Sequence, residues 1–147
     1  MKKLIIPILL ASIALTGCSS PASTPENEAS SAPVEAAEAP DLTGTWTQSN
    51  SKSADAYQQA TITADSITVE WAADGGDTTS IYWVGTFDAP TDSGEPYVWI
   101  SERDEEATAS ALLASSDDAK EFTYEGGVIS YKVTALGTTT TVELKKN

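Results

Sequence analysis

The sequence predicts an all-β domain, an antiparallel meander of about eight strands closed into a small barrel. From Asp41 onward, short runs rich in Val, Ile, Thr and aromatic residues are broken by clusters of Gly, Asp, Ser and Pro. Turn signals recur too closely for parallel crossovers, which need about a dozen connecting residues or more. Within the runs, apolar and polar residues alternate with period two, as in half-buried strands.

In chain order, strands are expected near 43–49, 58–63, 66–73, 79–88, 96–103, 119–125, 127–135 and 138–145. Each is bounded by residues that tolerate reversal: Ala64-Asp65, Asp74-Gly75-Gly76-Asp77, Asp92-Ser93-Gly94, Gly126-Gly127 and Leu136-Gly137. Two segments are ambiguous. Residues 107–115 carry alanine and leucine, which favour a helix, but lie between two strand signals and are read as a further strand. Residues 53–59 form a second candidate helix before the second strand.

Alternation assigns the core. Ile67, Val69 and Trp71 share one face, as do Ile81, Trp83 and Phe87, then Ile129, Tyr131 and Val133, then Val142 and Leu144. Gly85 interrupts the large residues of its strand, where a glycine marks a bend or bulge needed to close a sheet. Closure is expected because an open meander of this length leaves two long edges with unpaired backbone groups.

Ahead of the domain stands an address segment. Lys2 and Lys3 precede an apolar run from Leu4 to Leu15, broken only by Pro7 and Ser12, which reads as the hydrophobic region of a signal peptide over residues 1–17. At twelve residues it is too short to span a hydrocarbon core of about 30 Å as a helix. Leu15-Thr16-Gly17-Cys18 follows. This motif resembles the lipobox of bacterial lipoproteins, and the resemblance implies cleavage before Cys18 and lipidation of its thiol. Two or more acyl chains give stable anchoring, so the implied location is the extracytoplasmic side of the cell membrane.

Residues 18–40 are read as the lipidated N-terminus and its tether. Positions 19–40 hold four prolines, five serines, six alanines and four glutamates, with Val34 the only sizeable apolar residue, and cannot form a core. As flexible chain this stretch spans about 26 Å on average, and about 70 Å when fully extended. The domain proper is 41–147.

Composition excludes several functions. Net charge is -14, and 22 carboxylates face only eight basic residues, so nucleic acid is not an expected partner and membrane contact must come from the lipid on Cys18. Histidine is absent and Cys18 is the only cysteine, which removes the usual zinc ligands, any intramolecular disulfide and Ser/His or Cys/His pairs. No cofactor or metal is expected. Glu70, Asp88 and Glu102 are the carboxylates considered for acid and nucleophile roles in glycoside hydrolysis. Asp74, Asp77, Glu102, Asp104, Glu105, Glu106, Asp117 and Asp118 could hold calcium through carboxylate oxygens, but their spacing matches no EF-hand or glycine-rich repeat, and solvated loops are the better reading.

Leu42-Thr43-Gly44-Thr45-Trp46 resembles the Gly-x-Trp opening of lipocalin-like barrels, which implies a small barrel with Trp46 as the plug of one end. The only arginine, Arg103, does not lie on the last strand, where lipocalins place the arginine that stacks on this tryptophan, and a ligand cavity is not carried over. The 41–147 block is also similar to domains of uncharacterised lipoproteins of Gram-positive bacteria and their prophages.

Tyr82, Tyr97 and Trp99 alternate with Ile81, Trp83, Val98 and Ile100, so both faces of two strands carry aromatic or large apolar groups. Either these aromatics fill a second packing layer under the 104–118 segment, or Tyr82, Tyr97 and Trp99 form an exposed candidate binding patch. The functional expectation is a non-enzymatic, lipid-anchored envelope protein that binds a protein or a small apolar ligand. A prophage-borne superinfection exclusion lipoprotein is the alternative, and a small carboxylate-dependent hydrolase the third.

Overall fold

The computed structural model describes residues 38–147. Cys18, the rest of the lipobox, the signal segment and nearly all of the tether lie outside the described residues.

Eight antiparallel strands form one sheet: β1 (Gly44–Gln48), β2 (Tyr57–Ile62), β3 (Ser66–Ala73), β4 (Thr78–Thr86), β5 (Tyr97–Glu102), β6 (Ala119–Glu125), β7 (Val128–Ala135) and β8 (Thr138–Lys146). Their order is β4-β3-β2-β1-β8-β7-β6-β5, so the first and last strands of the chain pair and the sheet curls on itself. The result is a nearly closed barrel with one unsealed seam, between β4 and β5, crossed by a single bridge from Gly85 to Arg103. All eight expected strands are present, with ends displaced by at most two residues.

The interior is a packed core. Trp46, Trp83, Phe122, Ile67, Ile129, Leu144 and Val69 are buried completely or nearly so. Register builds an aromatic row across the wall, because Trp99 pairs with Phe122, Phe122 with Tyr131 and Tyr131 with Val142. Consecutive rings of this row lie 5.1 and 4.9 Å apart between centroids. Contacts of this kind contribute about 0.5–1.5 kcal/mol beyond area burial.

A bulge on β4 changes one expected face. Val69 pairs with Trp83 and Glu70 with Ile81, leaving Tyr82 as an extra residue. The extra residue reverses the alternation, as bulges do. Tyr82 and Trp83 therefore both turn inward, while Ile81 leaves the inner face to which alternation had assigned it with Trp83 and Phe87.

Two local expectations are corrected. Residues 107–115 form no strand: a one-turn helix α1 (Glu105–Thr108) begins after Asp104, whose carboxylate accepts a hydrogen bond from the Ala107 amide at 2.9 Å, and irregular chain follows. Two first-turn glutamates suit the positive end of that turn. The candidate helix at 53–59 is absent as well. Ser53 Oγ accepts from the amides of Asp55 and Ala56, which holds a local turn instead, and β2 begins at Tyr57.

This irregular segment, 103–118, mends the seam as a strap. Because the chain bridges β4 only at Gly85, through Arg103 just after β5, the mouthward part of the β4 edge has no strand partner among the described residues. The amide of Asp104 donates to the Val84 carbonyl and that of Ser115 to the Tyr82 carbonyl, both at 2.8 Å. Edge carbonyls that would otherwise lack partners are thereby satisfied.

Candidate functional site

The up-and-down topology gathers the 49–56 loop, the β3–β4 turn, the strap and the β7–β8 turn at one end of the barrel, the mouth. A groove of about 590 Å³ opens there. Its wall comprises Trp71 from β3, Tyr82 from the β4 bulge and Val133 to Ala135 from the end of β7, and the strap supplies Leu113 to Asp117 opposite. Trp71 is half-buried and meets Tyr82 edge to face at 5.5 Å.

Apolar side chains crowd this rim. Leu112 and Leu136 are fully exposed and Leu113 more than half exposed. Leu113 also borders a second depression of about 630 Å³, lined by Thr79 to Ile81 of β4 and Ser110 to Leu113 of the strap. Leu136 stands at the tip of the β7–β8 turn with φ of 51°, a left-handed conformation that a leucine adopts only at a cost.

Beneath the groove the barrel interior becomes polar. Lys120 points inward from β6, with Nζ 2.9 Å from the Asp117 carboxylate and 5.2 Å from the centroid of Tyr82. Hydrogen bonds from Lys120 and then from Ser115 hold the Asp117 carboxyl below the usual carboxylate range. The Tyr131 hydroxyl donates to Oε1 of the fully buried Gln58, whose Nε2 has no partner among the described residues. Burial, with a smaller contribution from Tyr82, pushes the Tyr131 hydroxyl well above its ordinary value.

Of the two readings of these aromatics, burial supports packing over an exposed patch. Tyr82 and Trp99 are each only 4% exposed, and Tyr97 is half-buried against the core, stacked on Trp99 at 5.6 Å. Val98 and Ile100 are the outward residues of β5. Both phases of that strand are apolar, so alternation alone could not say which faces inward; pairing of Trp99 with Phe122 decides it. Of the three aromatics only Tyr82 lines the mouth groove; Trp71, expected in the core with Ile67 and Val69, is half-buried and lines it too, while Leu113 and the nearby exposed Leu112 and Leu136 are the residues that sequence reasoning missed. Their signal was weak: a leucine pair in an ambiguous segment and a leucine beside a turn glycine.

Trp46 is 2% exposed and donates from Nε1 to the Leu42 carbonyl at 2.9 Å. It sits at the end of the barrel away from the mouth, edge-on to Tyr124 at 6.3 Å.

The carboxylates considered for catalysis stand apart. Glu70 faces outward and accepts hydrogen bonds from Gln59 and Thr79. Glu102 borders a seam depression of about 420 Å³ with Asp65 and Asp104, which neither Glu70 nor Asp88 lines. Among the described residues no three acidic side chains gather closely enough to hold a metal ion. Compared with protein-family models, with curated proteins and with solved structures, the chain matches none.

Proposed function

We propose that the protein is a lipid-anchored, extracytoplasmic binding protein, attached to the cell membrane through Cys18, that takes an apolar ligand at the barrel mouth and performs no catalysis. The lipobox resemblance at Leu15 to Cys18 supports the attachment. One observation carries the binding site: the groove of about 590 Å³ at the mouth, in which half-buried Trp71 and exposed Leu113 present apolar surface beside the buried Tyr82 and Val133. Pockets of roughly 300–1,000 Å³ lined mainly by apolar and aromatic groups are typical of small-ligand sites. A ligand deep inside the barrel is disfavoured by the large side chains that occupy it.

Titration of the protein with an uncharged, environment-sensitive apolar dye tests the site. Saturable binding, weakened about tenfold in Trp71→Ala, is the expected result. Binding that is unsaturable, or unchanged by Trp71→Ala, overturns the mouth as the site. Anchoring is tested separately by radiolabelled fatty acid, expected in the wild-type protein and absent from Cys18→Ser. Label in the variant would sink the attachment.

A further inference from the structure

Resting on the mouth as the binding site, we propose that its occupant is a cationic amphipathic peptide segment, docked with apolar side chains on the leucine rim and basic ones on the surrounding loops. Two independent properties of this end of the barrel meet in that chemistry. The first is apolar exposure on two separate loops: Leu113 lines the groove, its neighbour Leu112 lines the adjoining depression, and Leu136 follows Ala135, the last groove residue of β7. Single exposed leucines are ordinary, but Leu112 and Leu113 on the strap, with Leu136 next to the groove wall, add to the apolar lining of the groove in the way that marks an interaction surface.

The second is charge. Asp55, Asp74, Asp77 and Asp118 are exposed on the loops of the same end, against the exposed Lys52 and against Arg103, which lies 3.8 Å from the Asp118 carboxylate. Such a field attracts cations and repels the headgroups of anionic lipid. An uncharged apolar molecule would use the rim and leave the carboxylates without a role. A second copy of this chain would set acidic loops against acidic loops. A basic amphipathic helix satisfies both, placing anchors at i, i+3, i+4 and i+7 along an apolar groove with lysine or arginine on its flanks.

The test uses the full chain and four probes: a leucine/lysine peptide in an amphipathic helical pattern, the same pattern with glutamate for lysine, a serine/lysine peptide of equal charge, and vesicles of zwitterionic lipid. Only the leucine/lysine peptide should bind tightly, and its affinity should fall as salt rises and the Debye length shrinks from about 30 Å at 0.01 M to about 8 Å at 0.15 M. Leu112→Ser with Leu113→Ser should weaken it about tenfold, as should Asp74→Asn with Asp77→Asn and Asp118→Asn. These side chains are exposed, so the variants retain the fold.

Equal binding of the glutamate peptide, equal binding of the serine peptide, or leucine-dependent binding to vesicles would each overturn the proposal. The uncharged dye separates the two levels. Dye binding that depends on Trp71 without peptide binding defeats the cationic partner alone, whereas loss of both defeats the mouth as a site.

Discussion

Lys120 Nζ lies 2.9 Å from Asp117 Oδ2, so the buried lysine of β6 is tied to the strap that closes the barrel wall beside β4. The same ammonium sits 5.3 Å from the Trp83 ring, and its side chain is only 5% exposed, against 59% for that of Asp117. Removing the two partners should therefore have unequal effects.

Asp117→Asn leaves a buried cation without its counterion and should cost about 1–3 kcal/mol, less than the loss at a fully buried pair because water reaches the carboxylate. Lys120→Met removes the charge and keeps the packing, and should change stability by less than about 1 kcal/mol. Urea midpoints check the order, and a larger loss in Lys120→Met would contradict it. The pH dependence follows from the depressed Asp117 carboxyl: its contribution is present above the unfolded value near 3.8 and is lost as pH falls through the lower folded value. The gap between wild type and Asp117→Asn should accordingly narrow below about pH 4.

Tyr131 and Gln58 form a second buried pair, bonded from hydroxyl to amide oxygen inside the barrel. Tyr131→Phe strands that oxygen beside an amide nitrogen that already lacks a partner, at a cost of about 1–3 kcal/mol. Tyr131→Phe combined with Gln58→Leu removes the stranded atoms together, and should cost less than the sum of the single changes; simple additivity in urea unfolding would refute the coupling. The tyrosine hydroxyl is raised in the folded state, so its contribution is full below the ordinary value of 10.0 and fades as pH rises through the folded one.

Gly85 marks where the barrel closes. A Cβ there would meet the Glu102 carbonyl oxygen at 2.4 Å, Ser101 Oγ at 2.5 Å and Trp83 Nε1 at 2.7 Å. Gly85→Ala must push β5 off β4, and should cost about 1–3 kcal/mol by overpacking. Hydrogen exchange should quicken first at the Asp104 amide, which bonds the Val84 carbonyl across the seam. Unchanged protection at that amide would mean that the seam does not depend on this close approach.

Much of this architecture was legible because strand signals are local. Turn residues such as Gly126-Gly127, both at positive φ, fall where the chain reverses, and the alternation of Ile129, Tyr131 and Val133 gives the inner face directly. What was not legible is non-local. The Tyr82 bulge is a property of the β3–β4 register, and neither strand carries it alone. Val98 and Trp99 are both credible core residues until Phe122 is placed opposite Trp99. Residues 107–115 read as strand from their place between two strand signals, and nothing in their alanine and leucine content tells of the β4 edge that the strap covers. The mouth groove was invisible for the same reason, since Trp71, Leu113 and Ala135 come from three distant segments.

The two buried tryptophans at positions 46 and 99 separate packing from hydrogen bonding. Both are almost fully buried, so Trp46→Ala and Trp99→Ala should each lower stability by about 3–5 kcal/mol through lost transfer energy and a residual cavity. In a domain whose total is about 5–15 kcal/mol, either loss should shift the urea midpoint sharply. Replacement by phenylalanine should tell them apart. Trp46 Nε1 donates to the Leu42 carbonyl, and Trp46→Phe leaves that oxygen without the bond. Trp99 Nε1 is buried with no partner among the described residues, its ring stacked between Phe122 and Tyr97, so Trp99→Phe removes an unsatisfied donor and retains an aromatic in the row. Trp46→Phe should therefore be the more damaging change by about 1 kcal/mol. A greater loss in Trp99→Phe would show that the indole's volume, rather than its unpaired nitrogen, governs that position.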